Sequence, residues 1–177
     1  MRFLKRILAA LVVIVVALVA VAYVLPRETQ VQRSITIDAP PSRVFPHVNA
    51  MQATEAWSPW LDRDPDVQLT YEGPDSGVGN RLIWTSEHPQ VGNGTQEITL
   101  STPDERVETA LDFGALGTAD AWFALQPAGD GTQVTWGFTT DAGMNPMSRW
   151  MGLMMDRWVG ADYEKGLAKL KAVVEAG

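Results

Sequence analysis

Two histidines, His47 and His88, and the acidic run Asp62-Arg63-Asp64-Pro65-Asp66 are the residues whose types first invite a search for chemistry. A histidine serves as a general base when a second group orients its ring and a substrate lies within reach. His47 falls in a short helical stretch and His88 in a turn beside Pro89, so both read as structural or solvated residues. Alternate aspartates suggest a calcium loop, but that loop needs glycine at its sixth position and an acidic ligand at its twelfth. Val67 and Gly73 stand there, so the run reads as an acidic turn. The chain has no cysteine, which excludes thiol catalysis, disulfides and zinc–thiolate sites. Gly77-Val78-Gly79 does not join a strand to a helix and is no dinucleotide fingerprint. Neither G-x-S-x-G nor H-E-x-x-H occurs. No catalytic residue, metal or cofactor is therefore expected.

The remaining chemistry is apolar. Seven tryptophans all lie beyond residue 50, and five of the seven methionines fall between Met144 and Met155. Trp57-Ser58-Pro59-Trp60 places two rings around a rigid proline, either as a lid over an apolar cavity or as plugs closing the core. Methionine is adaptable and suits a cavity whose ligand varies in shape. The same methionines at helical spacing also suit a filled core.

The elements that must position these residues follow from periodicity. Val31, Arg33, Ile35 and Ile37 alternate with Gln32, Ser34, Thr36 and Asp38, which is the pattern of a half-buried strand. Ala39-Pro40-Pro41-Ser42 opens a short helix, and a second covers Gln52 to Trp57. From Val67 to Phe138, strands alternate with Gly-, Pro- and Asp-rich turns, which predicts an antiparallel meander. By parity, Leu82, Trp84, Ile98, Leu100, Val107, Leu111, Phe113, Phe123, Leu125, Val134, Trp136 and Phe138 face inward. Arg81, Glu97, Arg106, Glu108, Asp112 and Asp120 face water, which leaves no acid/base pair inside. Asn145-Pro146 starts a terminal helix. Met147, Trp150, Met151, Met154 and Trp158, then Tyr163, Leu167, Leu170 and Val174, form the stripe predicted to cover the sheet. Gly160 and Gly166 mark a possible break in it.

Ahead of all this runs Ile7 to Leu25, 19 apolar residues preceded by Arg2, Lys5 and Arg6. At 1.5 Å per residue it spans about 28 Å, close to a bilayer's hydrocarbon core. The flanking positive charge keeps the N-terminus cytoplasmic and exports the domain, to the periplasm in a Gram-negative cell. Ala20-Val21-Ala22 also fits a signal-peptide cleavage site, so residues 1–25 are a transmembrane anchor or a cleaved signal. Residues 26–30 read as a linker and 31–177 as one domain. Without its three leading cations the chain keeps 11 basic residues against 21 acidic ones, a net charge of −10. Such a body is repelled by nucleic acid.

The order of strand, two short helices, meander and terminal helix resembles the SRPBCC superfamily of START-domain and birch-pollen-allergen-like proteins, in particular its polyketide cyclase/dehydrase-like branch. The residues that carry the likeness are Arg33-Ser34-Ile35-Thr36-Ile37-Asp38-Ala39-Pro40-Pro41, Ala56-Trp57-Ser58-Pro59-Trp60, Tyr71-Glu72-Gly73-Pro74, Gly131-Thr132-Gln133-Val134-Thr135-Trp136 and Gly166-Leu167-Ala168-Lys169-Leu170-Lys171. The resemblance implies an α+β helix-grip fold, a curved antiparallel sheet of six to seven strands wrapped on a long C-terminal helix. It also implies an apolar small-molecule ligand (lipid, isoprenoid or polyketide-like) between sheet and helix. The residues expected to line that site are Trp57, Trp60, Trp84, Phe113, Trp136, Phe138, Met147, Met151, Met154 and Trp158. Two other readings stand beside ligand binding: a cyclase/dehydrase-type enzyme, and a non-catalytic envelope module with a filled core. No protein partner is named by the residues.

Overall fold

The computed structural model describes residues 2–177. The apolar head forms one helix, α1 (Arg2–Ala22). Then come β1 (Glu28–Ile37), α2 (Pro41–Val48) and a 3-10 turn at Gln52–Ala56. The meander is β2 (Gln68–Glu72), β3 (Arg81–Thr85), β4 (Gly94–Thr102), β5 (Arg106–Asp112), β6 (Thr118–Ala128) and β7 (Gly131–Asp141). Helix α3 (Pro146–Ala176) ends the chain. All seven strands form a single antiparallel sheet in the order β1-β7-β6-β5-β4-β3-β2. The chain is therefore the α+β helix-grip expected from its element order.

Strand register carries the inner face. Arg33, Trp136, Phe123 and Val107 lie opposite one another in a row across β1, β7, β6 and β5. Val31, Phe138 and Ala121 form the neighbouring row. Val31, Ile37, Val44, Val48, Ile98, Val107, Val134, Leu167, Leu170 and Val174 are buried around these rows. One inward assignment fails. The β4–β5 register shifts between Ile98 and Leu100, so Leu100 pairs with Glu108 and stands 38% exposed on the wet side. A bulge at Thr99 moves one residue out of alternation. Leu100 is apolar, so parity alone could not show it.

Residues 28–30, expected in the linker, belong to β1. Strand β7 is 11 residues long and offers partners as far as Glu28↔Asp141, where Arg27 clamps the Asp141 carboxylate.

Helix α3 starts as its sequence requires. The Asn145 side chain accepts from the Met147 and Ser148 amides at 2.9 and 3.3 Å, and Pro146 occupies the first helical position. It does not break at Gly160 or Gly166 but continues for 31 residues. These glycines are contact points. A Cβ at Gly160 would strike the Arg33 guanidinium, and one at Gly166 would lie 2.7 Å from the Trp136 ring. Glycine there sacrifices helix propensity so that α3 can lie close along β1.

Candidate functional site

The face of α3 that meets the sheet is not the one expected. Positions Gly152, Asp156, Gly160, Tyr163 and Leu167 recur at three and four and face the sheet, with Arg149 on the same side of the helix toward the segments flanking β1 and β7. Met147, Met151, Met154 and Trp158 lie roughly 180° around the helix at 100° per residue. They are 67%, 44%, 47% and 46% exposed, where an inward position was expected. The five-residue step from Trp158 to Tyr163 changes face, so the apparent single stripe is two. Composition hid this, because the true contact stripe begins with arginine, glycine and aspartate.

The remaining expected residues fall into a plug and a wall. The plug is an aromatic stack centred on Trp136. Tyr163 lies on it at 3.8 Å between centroids with planes 8° apart, and Phe123 at 5.0 Å on the other side. Trp57 meets Trp136 edge-on at 5.3 Å, and its indole donates to the His47 carbonyl at 3.0 Å. Trp60, half-buried, meets Trp136 edge-on at 5.6 Å. Phe138 meets Tyr163 edge-on at 6.3 Å. Burial pushes the Tyr163 phenol pKa well up, so it stays neutral at physiological pH. Edge-on and offset contacts of this kind add to the area each ring buries.

The wall is the inner face of β2 to β5. Helix α3 makes its close backbone approach along β1 and at β7. Ile98 of β4 and Val107 of β5 are fully buried in this face. Tyr71, Leu82, Leu111 and Phe113 are only half-buried there. Trp84, also half-buried, meets Phe113 at 5.8 Å and 70°, with its ring lying over Gly94. Met155 and Val159 of α3 pack against the core. At the wall's edge the Tyr71 hydroxyl donates to Glu55 at 2.7 Å, and burial first, then Glu55, raises its pKa. Tyr163, Phe123 and Met155 were absent from the expected site. The i, i+4 spacing from Val159 to Tyr163 to Leu167 was the signal for the first, and Met155 lies one residue past a methionine of the outer stripe.

Charged groups are used as ties. Arg33, on the inner face of β1, donates to Glu164 at 2.7 Å and Asp156 at 2.8 Å. The bond from Arg33 holds the Asp156 carboxyl below its ordinary range. Arg63 pairs with the buried Asp162, and Asp62 with Lys169 at 2.7 Å. Asp64 accepts from Ser86 and from the Asp66 amide. The run 62–66 is thus stitched to α3 and to the segment that follows β3. His47 has its pKa lowered by burial and then by Arg43. The open hollows of about 390 and 270 Å³ lie on the opposite, outer face, lined by Arg81, Glu97, Asp112, Arg106, Glu108 and Trp122 among others. Their polar, charged lining suits no apolar molecule.

Comparison with known proteins agrees with this fold. The chain superposes on a protein of unknown function from Staphylococcus aureus with a TM-score of 0.63 at 11% identity, covering 84% of this chain and 94% of the other. Ara h 8.0201 gives 0.59 at 13% identity, with 85% and 99% covered. A protein from Chromobacterium violaceum gives 0.55 at 17%, with 83% and 97% covered. At these identities the likeness shows the fold alone. No curated protein matches. The family described as polyketide cyclase/dehydrase and lipid transport matches residues 28–175, which is the whole sheet and nearly all of α3. The chain belongs to that family, within the SRPBCC superfamily.

Proposed function

We propose that this protein is a membrane-tethered module that binds an apolar small molecule of lipid, isoprenoid or polyketide type. The observation that carries the reading is the set of half-buried apolar side chains on the inner face of β2 to β5, namely Tyr71, Leu82, Trp84, Leu111 and Phe113. Trp84 and Phe113, with Leu82 and Leu111, would form the contact surface. Phe138 and Trp60 would border it, and the Trp57–Trp136–Tyr163 stack would form the closed end. The Tyr71 hydroxyl offers one polar handle at the rim. Family membership supports the same class of ligand, since lipid transport is part of the family's description.

The tether is α1. Among the described residues it is the one helix long and apolar enough to cross a membrane, Phe3–Ala22 with a mean hydropathy of 2.7. Lys5 and Arg6 near its start favour a cytoplasmic N-terminus and an exported domain. The tether would hold the wall near the bilayer, where such ligands partition.

Binding is tested by titrating the full chain in detergent micelles with a fluorescent fatty-acyl probe. Saturable binding that is weakened by F113A and W84A, with the fold retained, supports the reading. Binding equal in wild type and both variants removes the wall from it.

A further inference from the structure

The outer stripe of α3 needs an occupant. Met147, Met151, Met154 and Trp158, with neighbouring Met144 and Leu153, are all exposed. Four large apolar side chains on one helical face, with Met144 just before it, exceed the scattered apolar residues normal on a soluble surface. The stripe is confined to the first half of the helix. Beyond Trp158 the same face carries Ala161, Lys165, Ala168, Lys169 and Ala172. The change in composition coincides with a change in neighbour, because the first turns of α3 are bound to the end of α1.

That attachment is specific. The Trp150 indole donates to the Leu18 carbonyl at 3.2 Å. The buried Arg149 guanidinium donates to the carbonyls of Tyr23 at 3.2 Å, Leu25 at 3.4 Å and Gly143 at 2.9 Å, and lies 5.3 Å from the Tyr23 ring. The Tyr23 hydroxyl donates to the Met144 carbonyl at 3.2 Å. The span Phe3–Ala22 is 20 residues long, about 30 Å, which fills a hydrocarbon core from side to side. Leu18 lies four residues before its end, about 6 Å deep along the axis. An indole bonded to Leu18 therefore sits in the outer layer of the hydrocarbon, just beneath the interface where tryptophan is enriched.

We infer that the first half of α3, Pro146 to Trp158, lies in the bilayer surface with Met147, Met151, Met154 and Trp158 turned into the lipid. This rests on reading α1 as a membrane anchor. The occupant is lipid because the stripe is continuous with the exposed apolar Tyr23, Val24 and α1 itself. The exposed Arg157 beside the stripe stands where a phosphate headgroup would meet it. With a bilayer on one face and the sheet on the other, α3 fixes the orientation of the domain rather than leaving it on a swivel.

The chain's lack of cysteine makes the test direct. Single variants M151C, M154C, W158C, K165C, A172C and V12C of the full chain would carry a nitroxide in phosphatidylcholine/phosphatidylglycerol nanodiscs. Collision with oxygen and with a water-soluble nickel chelate reads each label's depth. The inference expects labels at 151, 154 and 158 to lose nickel accessibility and gain oxygen accessibility, while those at 165 and 172 stay in water. Labels at 151, 154 and 158 as open to nickel as those at 165 and 172, with the label at 12 in lipid, overturn this inference alone. A label at 12 in water overturns the anchor and the inference together. Dipolar broadening at 154 that vanishes on dilution with unlabelled chain shows a second copy on the stripe, and also overturns it.

Discussion

The two halves of α3 share one axis, one period and one sheet, yet they keep different company. Residues 160–176 turn Gly160, Tyr163, Gly166, Leu167, Leu170 and Val174 to the sheet and alanine and lysine to water. Residues 146–158 turn arginine, glycine and aspartate to the sheet edge and methionine and tryptophan outward. The second half is an ordinary amphipathic clamp. The first half is inverted, because its greasy face points away from its own domain. A helix is inverted in this way when a second apolar medium lies on its far side.

The contrast breaks most sharply at the stack. W136A removes the ring that Tyr163, Phe123, Trp57 and Trp60 all touch. A loss of about 3–5 kcal/mol is expected, read as a large drop in melting temperature by near-ultraviolet circular dichroism. Next are two glycines with different neighbours. In G166A the new methyl meets the buried Trp136 ring and Pro59, which cannot easily retreat. Overpacking outweighs the gain in helix propensity, for a net loss on the order of 1 kcal/mol. In G160A the methyl meets the Arg33 guanidinium, the far end of a long side chain whose partners Asp156 and Glu164 are 69% and 64% exposed. Those pairs are worth at most about 1 kcal/mol, close to the helix propensity gained, so the melting temperature should barely move. Denaturant titrations of the two variants side by side check the sign.

The outer stripe should be nearly silent in folding. M151Q and M154Q are each expected within about 0.5 kcal/mol of wild type in detergent. A larger loss would show that these side chains pack on protein after all. The smallest effect lies beside the clamp, at His47, whose carbonyl receives the Trp57 indole. Its imidazole pKa is lowered on folding by burial, so the unfolded chain binds the proton more readily. Stability from this group is complete above the unfolded value, about 6.5, and falls as the pH drops from there toward the folded pKa. Nuclear magnetic resonance titration should place the folded imidazole below that reference, and H47Q should flatten this part of the pH profile.

Much of this was legible in the residues. Alternation sorted β1 and β3 to β7 into inner and outer faces, and Asn145-Pro146 marked the start of α3. Leu100 escaped because a bulge leaves no trace when the displaced residue is itself apolar. The facing of α3 escaped for a deeper reason. Arg33 shares the inner face of β1 with Val31 and Ile37, so the helix above it must supply Asp156, Glu164 and a glycine rather than a hydrophobic residue. Hydrophobic periodicity then selects the wrong stripe, because it assumes that the protein's interior is the only apolar medium. The wall was half legible. Trp84 and Phe113 were expected on it, but that α3 would follow β1 so closely depends on the approach at Gly152 and Gly160.

Occupancy of this wall by an apolar molecule has a direct readout. Native mass spectrometry of the full chain, released from nanodiscs made directly from its host membrane, tests it most simply. A co-purified adduct that is extracted by organic solvent and lost in F113A is expected. A bare chain mass in every preparation, with a wild-type fold, would contradict it.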